Sequence, residues 1–271
     1  MIADYIKLVY ILIFQFNCIG SLNTLVNFME IYIGCSGYNF KEWKNIFYPE
    51  HISQDQWLNY YSGHFNTVEI NNTFYSFPQE KNLHKWMQET PDNFKFTIKA
   101  NRYFTHLKKL NTDKSFLQRL DEFQKVLDTA RKKVDCILWQ LPGNLHKHLA
   151  KIRVFLGSLD RSMNHVIEFR HESWFDESVY EVLKEGRVAY CMLSAPDGLP
   201  EDVIATSKIA YLRFHGKNTW YDYLYTDDEL KEWKGRLDKI TGIESLYIYF
   251  NNDKHGNAVK NAQKLNHLFN L

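Results

Sequence analysis

The sequence predicts an α/β fold, a single closed (β/α) barrel of the TIM type with eight parallel strands. Eight short β-rich runs alternate with longer segments of helical periodicity, as in parallel βα units. The length of 271 residues is usual for one such barrel. The main rival, an open doubly wound sheet, is disfavoured because the turn at 34–38 reads GCSGY and not the Gly-x-Gly-x-x-Gly of a dinucleotide loop.

The predicted strands are rich in β-branched and aromatic residues and lie at 30–35, 67–71, 94–100, 136–141, 165–170, 188–193, 210–215 and 245–251. Helical patterns lie near 53–63, 80–89, 113–132, 146–158, 176–185, 227–240 and 257–269. The segment 194–209 is too short and too polar for a full helix. One βα unit is therefore expected to be abbreviated.

The first 28 residues are set apart from this pattern. Their apolar stretch is interrupted by Gln15 and Asn17, so it is too short to span a bilayer, and it lacks the basic start and cleavage site of a signal peptide. Met29 then leads directly into the first strand. We predict that residues 1–28 are a non-native or loose N-terminal extension, that residues 29–271 form the barrel domain, and that the chain has no membrane partner.

Charge and cysteine usage narrow the setting of the protein. Lys and Arg number 33 against 32 Asp and Glu, so a broad basic surface for nucleic acid is not indicated, although a local basic funnel stays open. The four cysteines are far apart and never form a CxxC pair. We expect buried, reduced thiols and a cytoplasmic location. They are Cys18, Cys35, Cys136 and Cys191.

Polar and charged residues occupy one parity of several strands, where barrels normally carry aliphatic side chains. Residues two apart on a strand share a face, so these side chains are expected to converge on the barrel axis near its C-terminal end. Cations slightly outnumber anions among them, which suits a phosphate, a carboxylate or a nucleic-acid backbone. The residues are Glu69, Asn71, Lys99, Gln140, Glu168, Arg170, Arg213, His215 and Asn251.

A second group of candidates lies on loops just beyond the strands. His106 follows the strand that carries Lys99, and His171 and Trp174 lie in the RHESW segment. Tyr75 is an aromatic residue at the expected rim. Rim aromatics are more often packing residues than stacking platforms, but stacking on bases or sugar rings is physically available to them.

The chain from about residue 29 to 268 resembles the YecE-like proteins, the family of the domain of unknown function numbered seventy-two. The matching segments include GCSGYNFKEWKNIFYP, YYSGHFNTVEINNTFYSFP, FKFTIKANRYFTH, ILWQLPGN, IEFRHESW, YLRFHG and YFNNDKHGNAVKNA. The resemblance implies a TIM barrel and supplies no activity. Similarity of some members to metal-dependent endonuclease and sugar-isomerase barrels is an analogy of fold. Besides the strand-end and loop candidates above, the family's characteristic positions are Ser36, Gly37, Phe74, Thr105, Pro142, Gly216, Asn252 and Asn261.

The first functional hypothesis is an enzyme of the hydrolase or isomerase class with a phosphate- or carboxylate-bearing substrate. Glu69 or Glu168 would be a general base, and His106 or His215 an acid. Lys99, Arg170 and Arg213 would neutralise developing negative charge. We predict catalytic roles for Glu69, Lys99, Glu168 and His215, and substrate-binding roles for Asn71, Tyr75, His106, Gln140, Arg170, His171, Trp174, Arg213 and Asn251.

Two alternatives remain open at this stage. A nucleic-acid binding or processing protein, similar to endonuclease barrels, would use a basic rim of Lys108, Lys109, Lys254 and His255. A non-catalytic ligand-binding or scaffold barrel would use the same charges only as an internal ion-pair network. No cofactor is identified. A divalent metal is the less favoured prediction, because the neighbouring Lys and Arg side chains would repel a cation.

Overall fold

The computed structural model describes residues 29–271, and these form a barrel of eight parallel strands. The predicted fold class is confirmed, and each predicted strand is present to within two residues at either end. The interpretation of residues 1–28 as an extension lies outside the described residues. The strands are β1 (Glu30–Cys35), β2 (Thr67–Ile70), β3 (Lys95–Lys99), β4 (Val134–Gln140), β5 (Asn164–Glu168), β6 (Ala189–Ser194), β7 (Ile209–Phe214) and β8 (Ser245–Phe250).

Helices connect the strands and cover the outside of the barrel. They are α1 (Trp57–Ser62), α2 (Glu80–Gln88), α3 (Lys114–Asp128), α4 (Leu149–Gly157), α5 (Glu177–Gly186), α6 (Asp227–Leu237) and α7 (Asn257–Leu268). Each coincides with a predicted helical pattern. Residues 195–208, between β6 and β7, contain no helix, which confirms the abbreviated βα unit.

The wall of the barrel is joined by backbone hydrogen bonds except at one seam. The hydrogen-bonded order is β1-β8-β7-β6-β5-β4-β3-β2, which leaves β1 and β2 as neighbours without a ladder. The Asn66 side chain bridges them: its Oδ1 accepts from the Ile33 N–H at 3.1 Å, and its Nδ2 donates to the Ile31 carbonyl at 2.7 Å. A side-chain amide thus replaces a strand partner and satisfies two buried backbone groups.

Tyr61 and Gly34 complete this seam. The Tyr61 hydroxyl accepts from the Cys35 N–H at 2.7 Å and donates to the Thr67 carbonyl at 3.1 Å. A Cβ atom at Gly34 would lie 2.1 Å from that same carbonyl oxygen, so only glycine allows β1 and β2 to approach this closely. The barrel is therefore closed on this side by side chains.

The interior of the barrel is packed, and the fully buried charged side chains Glu69, Glu168 and Arg213 lie towards the C-terminal ends of the strands. In the middle layer the Tyr249 hydroxyl lies 2.6 Å from Thr67 Oγ1 and 2.9 Å from Thr97 Oγ1. Neutral groups that satisfy one another fill this layer, so it forms a floor. The charged side chains lie above this floor, towards the mouth.

Two further sequence expectations concern cysteines and membranes. Cys35, Cys136 and Cys191 are buried free thiols, as expected, and burial raises the pKa of each. Cys18 lies outside the described residues. No helix within residues 29–271 is long and apolar enough to cross a bilayer.

Candidate functional site

A buried ion network lies at the C-terminal ends of β2, β5 and β7, and Arg213 is its centre. Arg213 Nη2 donates to Glu69 Oε1 at 2.6 Å, and Nη1 donates to Glu168 Oε2 at 2.5 Å. All three side chains are fully buried. The inward parity of these strand positions brings them together from residues far apart in the sequence, as predicted.

The remaining carboxylate oxygens of the network are also occupied. The Tyr211 hydroxyl donates to Glu69 Oε2 at 2.5 Å, and Arg170 Nε donates to Glu168 Oε1. Burial by itself would raise the pKa of Glu168, but the adjacent Arg170 and Arg213 guanidiniums hold it well below its ordinary value. Two carboxylates and two guanidiniums therefore balance within the network.

His215 stands over this network as a neutral imidazole. Burial, followed by the charges of Arg170 and Arg213, holds its pKa well below the ordinary value. Arg170 Nη2 lies 3.1 Å from His215 Nε2, and because a guanidinium can only donate, Nε2 must accept. The ring proton is then on Nδ1, which lies 3.0 Å from Asn251 Nδ2; the Asn251 amide would have to rotate by 180° to present its oxygen to that proton.

Lys99, at the end of β3, is the cation of this region without a carboxylate partner. Its Nζ lies 4.6 Å from the centre of the Phe74 ring, and no described residue forms a hydrogen bond or an ion pair with it. Burial, reinforced by the charge of Arg213, lowers its pKa to about 8. Its side chain is partly exposed. Lys99 is thus a cation that a ligand can reach.

An open cavity of about 540 Å³ lies above the network. The Arg170 guanidinium forms part of its wall and lies 4.4 Å from the Trp220 ring. His106, on another wall, is neutral, because burial and then the charge of Lys99 lower its pKa to about 4. The cavity is lined by His106, Gln140, Pro142, Gly143, Arg170, His171, Glu172, Asp197, Gly198, Leu199 and Trp220.

The other predicted site residues are divided among three places. Gln140 and His171 line the same cavity as Arg170. Asn71 and Tyr75 line a separate cavity of about 350 Å³ beside the ends of β1 and β2. Trp174 lines neither: it is buried, packs on Phe169 and donates to the Leu145 carbonyl. The roles predicted for these residues stay predictions.

Sequence reasoning missed three residues that shape the site. Tyr211 precedes Arg213 by two positions and shares its face, but as a neutral residue it did not stand out. Trp220 lies in the irregular loop after β7, where no periodicity predicts a direction. His146 lies against His171, with ring centroids 3.9 Å apart, and its approach depends on the path of the loop after β4.

Two of the three lysines in the basic rim predicted for nucleic acid form ion pairs. Lys108 pairs with Asp113 at 2.8 Å, and Lys254 pairs with Asp222 at 2.7 Å. Glu172 and Asp197 add exposed carboxylates to the outer wall of the cavity. Across residues 29–271, no group of three or more His, Cys, Asp or Glu side chains is arranged to hold a metal ion. The outer wall of the cavity therefore carries carboxylates, whereas the Arg170 guanidinium lies on its wall nearer the buried network.

A barrel with its polar groups gathered at the C-terminal mouth is the usual form of a TIM-barrel ligand site. The chain belongs to the family described as protein of unknown function DUF72, whose model matches residues 32–271. This confirms the predicted family.

Relatives in sequence and structure agree with that assignment. The UPF0759 protein YunF of Bacillus subtilis is 28% identical over 89% of this chain and 95% of its own length. The DUF72 family protein TM1631 of Thermotoga maritima is 30% identical, with a TM-score of 0.78 over 89% of this chain and 100% of that one. SacUVDE has a TM-score of 0.55 at 10% identity, over 90% of this chain and 99% of that one, and so shares the fold alone.

Proposed function

We propose that this protein is an enzyme of the hydrolase or isomerase class that acts on a small substrate carrying a phosphate or carboxylate group. The observation that carries the proposal is the charge balance at the barrel mouth. Arg213 and Arg170 match Glu69 and Glu168, whereas Lys99 Nζ has no partner among residues 29–271. An anionic group at the inner end of the cavity would complete the balance.

The geometry also supports a position for that anion. The Phe74 ring connects Lys99 to the cavity wall, since it lies 4.6 Å from Lys99 Nζ and 4.9 Å from the ring of His106, which lines the cavity. Arg170 extends into the same cavity and still has donors that its bond to Glu168 does not use. We assign Lys99 and Arg170 to the anion, with His106 and Gln140 as neutral hydrogen-bonding groups beside it.

The hydrogen-bond and ion-pair partners of the four predicted catalytic residues suggest different roles for them. Glu69 has both oxygens engaged beneath Arg213, so we propose a positioning role for it. Glu168, with its lowered pKa, would orient Arg170 and the neutral His215. Lys99 has a pKa of about 8, near enough to neutrality for proton transfer. Lys99 is therefore our first candidate for the group that moves a proton.

The small anion is favoured over the two alternatives. A nucleic-acid backbone would meet a rim in which Lys108 and Lys254 are paired, and an outer wall that carries the carboxylates of Glu172 and Asp197. A scaffold would need only the balanced network and would gain nothing from a partly buried, unpaired Lys99. The buried thiols support the cytoplasmic location that we propose together with this function.

Calorimetric titration with inorganic phosphate and with acetate tests the binding half of the proposal. Lys99→Met should weaken the affinity for phosphate by about tenfold or more, because one charge-assisted contact is lost. Lys254→Met is the matched control, since it removes an exposed lysine that is already paired, and it should leave the affinity unchanged. Equal affinity in Lys99→Met and wild type would refute the assignment.

Turnover is tested separately with Lys99→Arg, which keeps the positive charge and removes the titratable amine. A panel of phosphomonoesters and sugar phosphates is followed by phosphate release and by NMR for isomerised products. We expect Lys99→Arg to bind phosphate nearly as wild type does and to lose turnover. Anion binding with no turnover of any panel member by wild type would favour the ligand-binding barrel instead.

A further inference from the structure

The second cavity, beside the ends of β1 and β2, has a lining quite unlike that of the charged mouth. Four aromatic residues line its wall: Tyr38, Phe40, Tyr75 and Trp86. Ser36 and three asparagines add polar groups to this lining, which contains no charged residue. An apolar wall with a few placed polar groups is the usual composition of a small-molecule site. The complete lining is Ser36, Gly37, Tyr38, Asn39, Phe40, Ile70, Asn71, Asn72, Tyr75 and Trp86.

One polar atom of this cavity lacks a partner. The Asn71 amide donates through Nδ2 to the Ser36 carbonyl at 2.9 Å, which fixes its orientation. Its Oδ1 is buried and accepts no hydrogen bond from any described residue. A buried acceptor without a donor costs free energy, and an N–H group of a ligand in the cavity would satisfy it.

The backbone at Gly37 helps to form the cavity. Gly37 has φ +135°, and a Cβ atom there would lie 2.8 Å from the Phe40 ring. A side chain at this position would be both strained and in collision with an aromatic wall. Glycine therefore lets the loop after β1 turn so that Phe40 packs against its own backbone beside the cavity.

A turn of helix, residues Asn72–Phe74, leads from the second cavity to Lys99 and His106. Asn72 lines the second cavity, whereas Phe74 lies under Lys99 Nζ and against His106. Ser36 also connects the second cavity to the buried network, because it lines that cavity and its Oγ lies 3.5 Å from Arg213 Nη2. One turn of 3₁₀ helix advances about 6 Å, which a single small molecule can span.

We propose that the second cavity binds the nucleobase of a nucleotide whose phosphate lies at Lys99 and Arg170. This inference rests on the proposed function for the position of the phosphate. Aromatic walls stack on the flat faces of a base, the Asn71 acceptor faces an N–H donor on its edge, and the Asn72 amide offers further donors and an acceptor. A sugar would bring hydroxyls on every side, more than the aromatic walls can satisfy.

The test compares calorimetric affinities of wild type for inorganic phosphate, ribose 5-phosphate, the four common ribonucleosides and their 5′-monophosphates. We expect at least one nucleoside monophosphate to bind about tenfold or more tightly than both phosphate and ribose 5-phosphate. Ribose 5-phosphate that binds as tightly as the best nucleotide would overturn the nucleobase assignment. So would phosphate that binds as tightly as every nucleotide, although the proposed function would then stand.

Variants locate the effect. Tyr75→Ala removes an exposed ring, and Asn71→Leu removes the free acceptor; both should abolish most of the gain of nucleotide over phosphate and leave phosphate affinity unchanged. Tyr221→Ala is the matched control, because it removes another exposed tyrosine at the mouth that lines neither cavity. Loss of the gain in Tyr221→Ala, or its retention in both cavity variants, would contradict the inference. If uncharged nucleosides bind and inorganic phosphate does not, the nucleobase assignment of the second cavity would be supported. The assignment of the anion to Lys99 and Arg170 would be contradicted.

Discussion

Arg213 and Lys99 are two cations inside one barrel mouth, and their surroundings differ in kind. Arg213 is fully buried with a carboxylate on each side, at 2.6 and 2.5 Å. Lys99 is partly exposed and faces an aromatic ring at 4.6 Å. The same strand-end chemistry has therefore produced one closed ion network and one open charge.

The difference shows how buried charge that braces a fold can be separated from buried charge that is available to a ligand. A guanidinium between two carboxylates is satisfied, and its removal leaves uncompensated charge. A buried ammonium group without a counterion lowers the stability of the free protein, and an anion that binds to it raises that stability. Substitutions at Arg213 and Lys99 should therefore have different effects on stability and on anion binding.

The largest effect is expected for Arg213→Met, which leaves the buried Glu69 without a cation and Glu168 with Arg170 alone. We expect a loss of about 3–5 kcal/mol in the free energy of unfolding, measured by urea denaturation. Arg153→Met is the control, because Arg153 pairs with Glu185 on the surface with both side chains about half exposed, and it should cost less than about 1 kcal/mol. Similar losses in the free energy of unfolding for the two variants would contradict a structural role for the buried network beyond that of a surface ion pair.

Lys99→Met, in contrast to Arg213→Met, should raise the free energy of unfolding near neutral pH. Burial lowers the pKa of Lys99 from 10.5 to about 8, so the unfolded chain binds more protons between these values and stability rises with pH across that window. Wild type should therefore gain on the order of 2 kcal/mol relative to Lys99→Met from pH 8 to pH 10.5. Parallel stability curves for the two proteins would show that Lys99 titrates normally.

The affinity for an anion should also depend on the protonation of Lys99, but it should fall, not rise, as the pH increases. Sulfate keeps its charge throughout this range, so only the protein titrates near pH 8. Protonated Lys99 binds the anion, and affinity for sulfate should fall as pH rises above the pKa of about 8. Calorimetry on wild type and Lys99→Met checks this, and a pH-dependent fall of equal size in the variant would assign the titration to another residue.

The smallest effect concerns Trp220, whose ring holds the Arg170 guanidinium at 4.4 Å. Trp220→Leu should weaken phosphate binding by about two- to fivefold, the equivalent of an exposed cation–π contact. Thermal stability should change little because the ring lies at the wall of an open cavity. Tyr75→Leu alters an aromatic residue of the other cavity and should leave phosphate affinity as it is.

Much of this architecture follows from the sequence because it depends on local periodicity. The two-residue alternation on β2, β5 and β7 predicted that Glu69, Glu168 and Arg213 share the inner face, and the structure confirms it. The polar segment 194–209 predicted the missing helix in the same way. Periods of two and of three to four residues are properties of neighbouring positions, so no tertiary information is needed to read them.

Which charged side chains pair, and how the barrel closes between β1 and β2, depend on strand register and on the paths of the loops. Arg213 takes both carboxylates and Lys99 none, because register sets the height of each side chain within the barrel. The seam formed by Asn66 and Tyr61, and the stacking of Trp220 on Arg170, join residues whose own neighbourhoods give no sign of a partner. Trp174, which the sequence places just beyond β5, packs on Phe169 in the core, a contact that the sequence pattern does not indicate. The sequence by itself determined which face each side chain occupies, and the tertiary structure decided which charges meet, because electrostatic pairing is fixed by distances between segments that local preference does not specify.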